Sequence, residues 1–275
     1  MKELFSIGPL HIYFFGLMVG LGIISALLFA IWQGKRKGID EDIIVDISFI
    51  VIFSGVLGAR LFYVLFYNPA YYFTHPGELF QIYEGGLSIH GGIFSAVAAG
   101  FIYCKKKKVS FLKLADLVVM AVALAQGIGR VGCDVFGKAM TQIAPWGIKI
   151  DGQILHPAQV YEFILDYILF MILWRKSEKQ KYEGEIFGIY LISFPIIRGI
   201  VEFFRINPTV WGPFSISHLL SILLMIPGFI VLKYARRKPI SDEEKVKVRT
   251  SLWKQILITI FLIIGSIIIF YSVQG

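Results

Sequence analysis

The sequence has 275 residues, of which 56% are hydrophobic and 17% are charged, and its mean hydropathy is +0.71. Soluble globular proteins are about 25% charged, so this composition excludes a water-soluble enzyme. With only two cysteines, the chain is not a disulfide-stapled secreted domain either. The formal net charge of +8 would suggest a nucleic-acid partner in a soluble protein, so the positions of the cations decide what it means.

Apolar segments of membrane-spanning length, on the order of 20 residues, recur along the whole chain. They lie at Ile12–Trp32, Ile43–Tyr67, Leu87–Cys104, Leu114–Gly129, Ala158–Trp174, Ile186–Phe204, His218–Leu232 and Leu252–Val273. Continuous apolar runs of this length are typical of transmembrane helices rather than amphipathic surface helices. The sequence therefore predicts an all-α polytopic membrane protein with about eight transmembrane helices, forming a single integral membrane domain over residues 1–275.

The positive charges are distributed unevenly among the segments that join these predicted helices. The segments on one side hold 20 of the 27 Lys and Arg residues, and those on the other side hold five. Cytoplasmic segments of membrane proteins carry the excess of Lys and Arg, so both termini are predicted to lie outside. This asymmetry accounts for the basic excess, and no nucleic-acid partner is expected.

Two polar residues at the predicted outer ends of helices, His90 and Arg130, are flanked by glycines. His90 lies within the run GGLSIHGG (residues 85–92), where glycine permits close backbone approach. It is either a hydrogen-bonded histidine on a packing face or a titratable group that exchanges a proton near the membrane surface. Arg130, in the run GRVG, either extends its guanidinium to lipid headgroups or offers its planar fork to a phosphate.

Three charged residues share one face of the predicted sixth helix. Arg198, Glu202 and Arg205 are four and then three residues apart, which is the spacing of neighbours on a helical surface. Ionisable groups inside a span usually face a bundle interior or a cavity, although a purely structural ion pair would show the same spacing. Arg60, inside the second predicted helix, is open to the same two interpretations.

The run HPAQVYE (residues 156–162) opens the fifth predicted helix. His156 precedes a proline and is expected in extended backbone. Glu162 follows about one turn into the helix, where it either faces the cations or acts only as a helix-dipole partner. The outer ends of the helices thus gather histidines, arginines and glutamates, a set that suits a polar lipid headgroup with an anionic phosphate. Because no cluster has metal-ligand spacing, neither a metal nor another cofactor is expected.

Six motifs occur in order along the chain and together resemble the bacterial prolipoprotein diacylglyceryl transferase family. They are Ile7-Gly8-Pro9-Leu10 with Tyr13-Phe14-Phe15-Gly16-Leu17, Leu57-Gly58-Ala59-Arg60-Leu61, GGLSIHGG, GRVG, HPAQVYE and Arg198 with Val201-Glu202-Phe203-Phe204-Arg205. The resemblance runs from about Leu4 to Leu232 and implies a multi-pass enzyme of the bacterial cytoplasmic (inner) membrane. Its active site is expected toward the outer leaflet. The last predicted helix, at 252–273, exceeds the family's usual plan.

The resemblance also implies a reaction and a set of site residues. Such a transferase moves the diacylglyceryl group of phosphatidylglycerol to the lipobox cysteine thiol of a preprolipoprotein and releases glycerol phosphate, the first step of lipoprotein maturation. The expected partners are phosphatidylglycerol, the lipobox peptide and membrane lipid. By resemblance, the catalytic residues are His90, Arg130 and Arg198. The expected substrate-binding residues are Arg60, Arg130, His156, Glu162, Glu202 and Arg205.

Three residues in or shortly after these motifs depart from the family pattern. Phe15 stands where the family has a tyrosine, Cys133 replaces an asparagine, and Lys138 occupies an acidic position. These departures leave a second interpretation open. In it, the chain is a divergent paralogue that binds or flips phospholipid, or acts on another acceptor or lipid donor, without prolipoprotein transferase activity.

Overall fold

The computed structural model describes residues 2–8, 10–67, 69–80, 85–240 and 249–274. Pro9 of the first motif, and Lys245 and Lys247 of the predicted cytoplasmic charge excess, lie outside the described residues. The helices of the described ranges are α1 (Phe14–Arg36), α2 (Glu41–Tyr67), α3 (Pro69–Thr74), α4 (Ile89–Lys107), α5 (Phe111–Val131), α6 (Ala158–Ser177), α7 (Glu185–Glu202), α8 (Ile216–Ala235) and α9 (Leu252–Gln274), with a 3-10 helix at Pro76–Phe80.

Each predicted apolar segment coincides with one long helix, so the all-α prediction is confirmed. The helices extend past the apolar segments mainly at their carboxyl ends. Basic residues fill these last turns, for example Lys35 and Arg36 in α1 and Arg175 and Lys176 in α6. Cations there interact favourably with the helix dipole, so the hydrogen-bonded turns continue beyond the apolar core.

Five of the described helices, α1, α2, α5, α8 and α9, are long and apolar enough to cross a membrane. The protein is therefore built as an integral membrane protein. The remaining three long helices are more polar. α4 ends in a run of lysines, while α6 and α7 carry acidic residues and arginine within their length.

Short antiparallel hairpins occur before α1 and in two of the segments between helices, and the apolar pattern did not predict them. They are β1 (Glu3–Ile7) with β2 (Leu10–Tyr13), β3 (Ile148–Ile150) with β4 (Gln153–Leu155), and β5 (Thr209–Trp211) with β6 (Phe214–Ser215). The turn between β3 and β4 is Asp151-Gly152, and both residues have positive φ, 48° and 80°. This dipeptide is a strong hairpin signal, because the turn needs residues that tolerate left-handed backbone.

Residue contacts divide the chain into two units, which are described separately. Unit 2, Ile39–Leu114, is built on α2 packed along α4. Glycines allow these two backbones to approach closely. A Cβ at Gly58 would clash with Ser95, and one at Gly91 would clash with Phe62. Small residues at such an interface are the usual device for helix packing in membranes.

Unit 1 comprises Met1–Gly38 and Ala115–Gly275. In it, α7 packs on α8 and on α6, and α9 also packs against α6. The fully buried side chains of α6, including Phe163 and Tyr167, form much of its core. The α7–α8 contact again relies on glycine, because a Cβ at Gly188 would meet Leu232 at 2.6 Å.

A polar network ties together the segment that joins α6 to α7. The Asp116 carboxylate accepts hydrogen bonds from the backbone N–H groups of Gly184, at 2.6 Å, and Phe187, at 2.8 Å, and also from the Gln180 amide. Glu178, whose side chain is fully buried, pairs with Arg36 at 3.3 Å and with Arg175 at 3.5 Å. These contacts fix the ends of the two helices that carry most of the charged residues described next.

Candidate active site

Five charged side chains of unit 1 form a chain of ion pairs with alternating sign. The Glu162 carboxylate lies 2.9 Å from Nη2 of Arg130 and 3.7 Å from Nη1 of Arg198. Glu202 continues the chain, with Oε2 at 3.2 Å from Nη2 of Arg198 and 3.8 Å from Nε of Arg205. The two carboxylates are at most 1% exposed, whereas the three arginine side chains keep 16–29% exposure. The cations therefore remain accessible at the edge of a buried acidic centre.

The prediction that Arg198, Glu202 and Arg205 share one face is confirmed by these contacts. Arg198 and Glu202 lie one turn apart in α7, and the backbone of Arg205 continues the turn by donating to the Glu202 carbonyl at 3.1 Å. Glu162 faces the cations from α6, so it is more than a helix-dipole partner.

Two of these ion pairs are too long to be hydrogen bonds. Nη1 of Arg198 and Nε of Arg205 are buried and have no hydrogen-bond partner within the described ranges. Burial, followed by repulsion from Arg198, lowers the pKa of Arg205 below its ordinary value. Buried donors without acceptors are costly, so an anionic oxygen placed between these guanidinium groups would be stabilised.

The glycine-flanked turn after α5 positions Arg130. Gly132 leaves no space for a side chain, because a Cβ there would lie 2.8 Å from the Cα of Phe15 in α1. Cys133 follows, with Sγ 3.8 Å from Nη1 of Arg130. Burial raises the pKa of the Cys133 thiol, and Arg130 only partly offsets this. The residue is therefore a neutral thiol rather than a reactive thiolate near pH 7.

Backbone hydrogen bonds join three motifs that are distant in the sequence. The Gly137 N–H donates to the carbonyl of His156 at 2.8 Å, and the Lys138 N–H donates to the carbonyl of Phe204 at 2.8 Å. The His156 N–H donates in turn to the carbonyl of Lys138 at 2.9 Å. A Cβ at Gly137 would clash with the Phe204 carbonyl, so only glycine fits this junction. The junction brings the segments after α5, before α6 and after α7 together beside the ion pairs.

The His156 ring is half-buried and packs among aromatic neighbours. Its centroid lies 5.2 Å from that of Phe204 and 6.1 Å from that of Tyr161. The Tyr161 hydroxyl lies 3.1 Å from Nδ1 of His156. His156 thus packs against the phenylalanine that precedes Arg205 in the chain.

In unit 2, Arg60 is buried and donates to four backbone carbonyls. These belong to Glu78 at 2.5 Å, Leu79 at 3.1 Å, Gly85 at 2.8 Å and Gly86 at 3.1 Å. The guanidinium thereby holds the segment that leads into α4.

His90 lies in the first turn of α4 and is exposed. Ser88 caps this helix by accepting a hydrogen bond from the Gly91 N–H at 3.4 Å. The His90 ring has no hydrogen-bond partner in the part of the chain that the structure describes. The interpretation of His90 as a hydrogen-bonded histidine on a packing face therefore gains no support from these contacts. Its imidazole is available to a substrate.

The motif order and this geometry agree with a comparison against known proteins. A family model described as prolipoprotein diacylglyceryl transferase matches residues 2–234. The chain belongs to this family. The match includes the ion-pair chain, His90 and Arg60, and it ends before α9.

Several relatives bear the name phosphatidylglycerol–prolipoprotein diacylglyceryl transferase. The protein of Clostridioides difficile (strain 630) is 37% identical over 237 residues, covering 85% of this chain and 95% of the relative. That of Finegoldia magna is 36% identical over 245 residues, covering 87% and 98%. That of Geobacter sulfurreducens is 35% identical over 248 residues, covering 85% and 95%. The family resemblance seen in the motifs is confirmed.

Of the three departures from the transferase family pattern, two sit at packing or surface positions and one contacts the candidate site. Phe15 is half-buried in α1 against Gly132, and Cys133 contacts Arg130. The Lys138 side chain is exposed and makes no ion pair with any described residue, while its backbone forms the junction with His156. The side chain at position 138 is therefore not a member of the buried ion-pair chain in this transferase-family protein.

Sequence reasoning missed the residues that hold Glu202. Its Oε1 accepts from the Asn207 amide at 2.6 Å and from the Ser215 hydroxyl at 2.7 Å. His218 accepts from the Ser215 backbone N–H at 3.0 Å, and its ring packs at a tilt against Phe203, 4.5 Å between centroids. The spacing of Ser215 and His218 at the start of α8 is the sequence signal that was available, since it is that of a helix cap.

Asp166 was also missed. It lies one turn after Glu162 in α6, is 1% exposed, and neither of its carboxyl oxygens has a hydrogen-bond partner among the described residues. An acidic residue inside an apolar segment was the available signal, because such groups are rare in spans and are usually functional.

Proposed function

We propose that this protein is a phosphatidylglycerol–prolipoprotein diacylglyceryl transferase. The observation that carries the proposal is the chain of ion pairs from Arg130 to Arg205 in a member of this family. It leaves the arginine side chains partly exposed, and two guanidinium nitrogens have no hydrogen-bond partner among the described residues. The acceptor is the lipobox cysteine of a preprolipoprotein, and the donor is phosphatidylglycerol.

The reaction is a displacement at carbon. The cysteine sulfur attacks the carbon of the diacylglyceryl group that is bonded to the phosphate oxygen, that carbon–oxygen bond breaks, and a thioether forms as glycerol phosphate leaves with the electron pair. Arg130 and Arg198 bind the phosphate and neutralise the charge that develops on it, since preorganised cations act most strongly in a water-poor site. Arg205 extends this cationic surface, and Glu162 and Glu202 hold the guanidinium groups in place.

The nucleophile comes from the substrate, so the protein must supply a proton acceptor. The thiolate is the reactive form of cysteine, and imidazole is suited to accept its proton near neutral pH. His90, exposed and without a partner among the described residues, is the candidate for this role. His156 and Arg60 are assigned to the binding of substrate, Arg60 also by holding the segment before His90.

The membrane arrangement follows from the charge distribution. The eight long helices of the described ranges span the bacterial cytoplasmic membrane, both termini lie outside, and the active site opens toward the outer leaflet. The 20-to-5 distribution of Lys and Arg supports this orientation. The polar residues of α4, α6 and α7 do not prevent these helices from spanning the membrane, because charged groups in a span are tolerated when they face the protein interior.

Complementation tests this function. The chain is expressed in bacteria depleted of their own transferase, and growth is measured together with lipid labelling of a model prolipoprotein. We expect rescue by the wild-type chain and by Lys149→Ala, an exposed control on the predicted outer side. Arg130→Ala and His90→Ala should insert normally without labelling. Stable wild-type protein that labels no prolipoprotein would instead favour a lipid-binding or lipid-flipping paralogue.

A further inference from the structure

Helix α9 lies beyond the family match, yet it is tightly bound to α6. The Tyr167 hydroxyl and the Ser266 hydroxyl are 2.8 Å apart in the buried interface. The Phe163 and Phe270 rings meet edge to face, with centroids 6.3 Å apart. These two contacts lie one turn apart in the carboxyl-terminal half of α9, and the helix is part of unit 1.

A chain of hydrogen bonds runs from the end of α9 to His156. The Tyr271 hydroxyl donates to the Trp146 carbonyl at 2.6 Å. The indole N–H of Trp146 donates to the Tyr161 hydroxyl at 3.1 Å, and that hydroxyl lies 3.1 Å from Nδ1 of His156. Trp146 is 53% exposed, so packing alone does not fix its position.

The direction of these hydrogen bonds follows from the chemistry of each group. An indole N–H can only donate, so the Tyr161 oxygen accepts from Trp146. The Tyr161 hydroxyl keeps one proton to donate, and we assign that proton to Nδ1 of His156, which lies within hydrogen-bond distance. A neutral imidazole has one protonated nitrogen, so the proton of His156 is on Nε2.

We propose that Tyr271 is a positioning residue which, through Trp146 and Tyr161, holds His156 with Nε2–H as a donor to an anionic phosphate oxygen of the lipid substrate. The proposal rests on the proposed function for its ligand. The backbone of His156 is joined to Lys138, and its ring packs on Phe204, the residue before Arg205. A donor held here therefore adds to the cations that bind the same anion.

Kinetics of the purified full-length protein test the proposal, with phosphatidylglycerol vesicles and a synthetic lipobox peptide as substrates. Tyr271→Phe removes only the hydroxyl, and we expect KM for phosphatidylglycerol to rise about 2- to 10-fold, as for the loss of one positioning hydrogen bond, with a smaller change in kcat. Ser266→Ala is the control for the packing of α9 on α6. Ser272→Ala is the control for the loss of a hydroxyl, because the Ser272 hydroxyl donates to the Ile268 carbonyl within the same helix. Both controls should keep the wild-type KM.

A double variant tests whether Tyr271 acts through Tyr161. Tyr161→Phe breaks the relay at its centre, so adding Tyr271→Phe should raise KM no further. A wild-type KM for Tyr271→Phe, or full additivity of the two changes, would overturn the proposal.

A measurement that needs no transfer activity separates this proposal from the proposed function. Nitrogen-15 shifts of the five histidines, with His156 assigned by His156→Gln, report which ring nitrogen is protonated. We expect Nε2–H in the wild type and a mixture of tautomers in Tyr271→Phe. The same mixture of tautomers in both proteins would overturn the relay, even if the protein is an active transferase. The expected shifts in a protein that shows no transfer would support the relay and contradict the proposed function.

Discussion

Replacing Glu162 by glutamine tests the centre of the ion-pair chain. The substitution keeps the shape of the side chain but removes the charge shared by Arg130, at 2.9 Å, and Arg198, at 3.7 Å. Breaking a buried pair by removing one partner costs about 3–5 kcal/mol, because the other charge is left uncompensated. The two arginine side chains keep 29% and 23% exposure and can recover some hydration, so we expect about 2–3 kcal/mol here.

The effect on catalysis should be larger than the effect on stability. Without the carboxylate, both guanidinium groups lose the contact that aims them, and loss of one preorganised charge-stabilising group typically lowers kcat by about 100-fold or more. We expect a transfer rate reduced by at least about 100-fold, with a melting temperature lower by several degrees. The rate is measured with labelled phosphatidylglycerol and a lipobox peptide, and the melting temperature is measured in detergent.

Glu178 provides the matched control, because it has the same chemistry outside the candidate site. Its side chain is fully buried and pairs with Arg36 and Arg175 just after the end of α6. Glu178→Gln should lower the melting temperature while leaving the rate per folded molecule near that of the wild type. The reasoning is refuted if Glu162→Gln keeps the wild-type rate and melting temperature, or if both variants lose the same rate per folded molecule.

Three further predictions concern the surrounding segments. Gly137→Ala should abolish transfer and lower the melting temperature, because a Cβ clashes with the Phe204 carbonyl, whereas Gly16→Ala, with nothing within 4 Å, should melt as the wild type does. Lys138→Glu should leave the melting temperature unchanged, since this exposed side chain makes no ion pair among the described residues; a fall of several degrees would contradict this. Cys133 should alkylate slowly at neutral pH, with a rate that keeps rising above pH 9, because its pKa is raised above the ordinary 9.0; a rate that levels off below pH 8 would show a thiolate.

The sequence predicted those parts of the structure that depend on local periodicity. Long apolar runs set the long helices, and a spacing of four and three residues placed Arg198, Glu202 and Arg205 on one face. Both results follow from the 3.6-residue helical repeat. Neither requires knowledge of which helices are neighbours.

Partner choice could not be predicted, because it depends on packing between distant segments. Glu162 was placed near an outer helix end, but the sequence did not show that it lies between arginines of α5 and α7. That arrangement depends on close approaches such as Gly132 against Phe15 and Gly137 against Phe204, which appear in sequence only as isolated glycines. A glycine indicates that a backbone comes close without showing which backbone it is.

The hydrogen-bond partners of the last helix, α9, could not be predicted from the sequence either. Its apolar length predicted a helix, and nothing in the sequence linked its hydroxyls to a specific partner. Tyr271 and Trp146 are 125 positions apart, and they meet because α9 packs along α6. Polar groups near the ends of apolar helices are usual in membrane proteins, so only the packed structure separates a hydrogen-bonded tyrosine from one that faces the membrane surface.

The sequence left a choice between a structural ion pair and a phosphate-binding site for the arginines, and the geometry makes these two roles compatible. Three guanidinium groups gathered in an apolar frame repel one another, so carboxylates are needed to hold them together before substrate arrives. The short pairs, at 2.9 and 3.2 Å, perform that task. The long pairs leave Nη1 of Arg198 and Nε of Arg205 without hydrogen bonds among the described residues. In the proposed reaction, the leaving phosphate binds the exposed parts of the three arginine side chains, so the short ion pairs do not have to break.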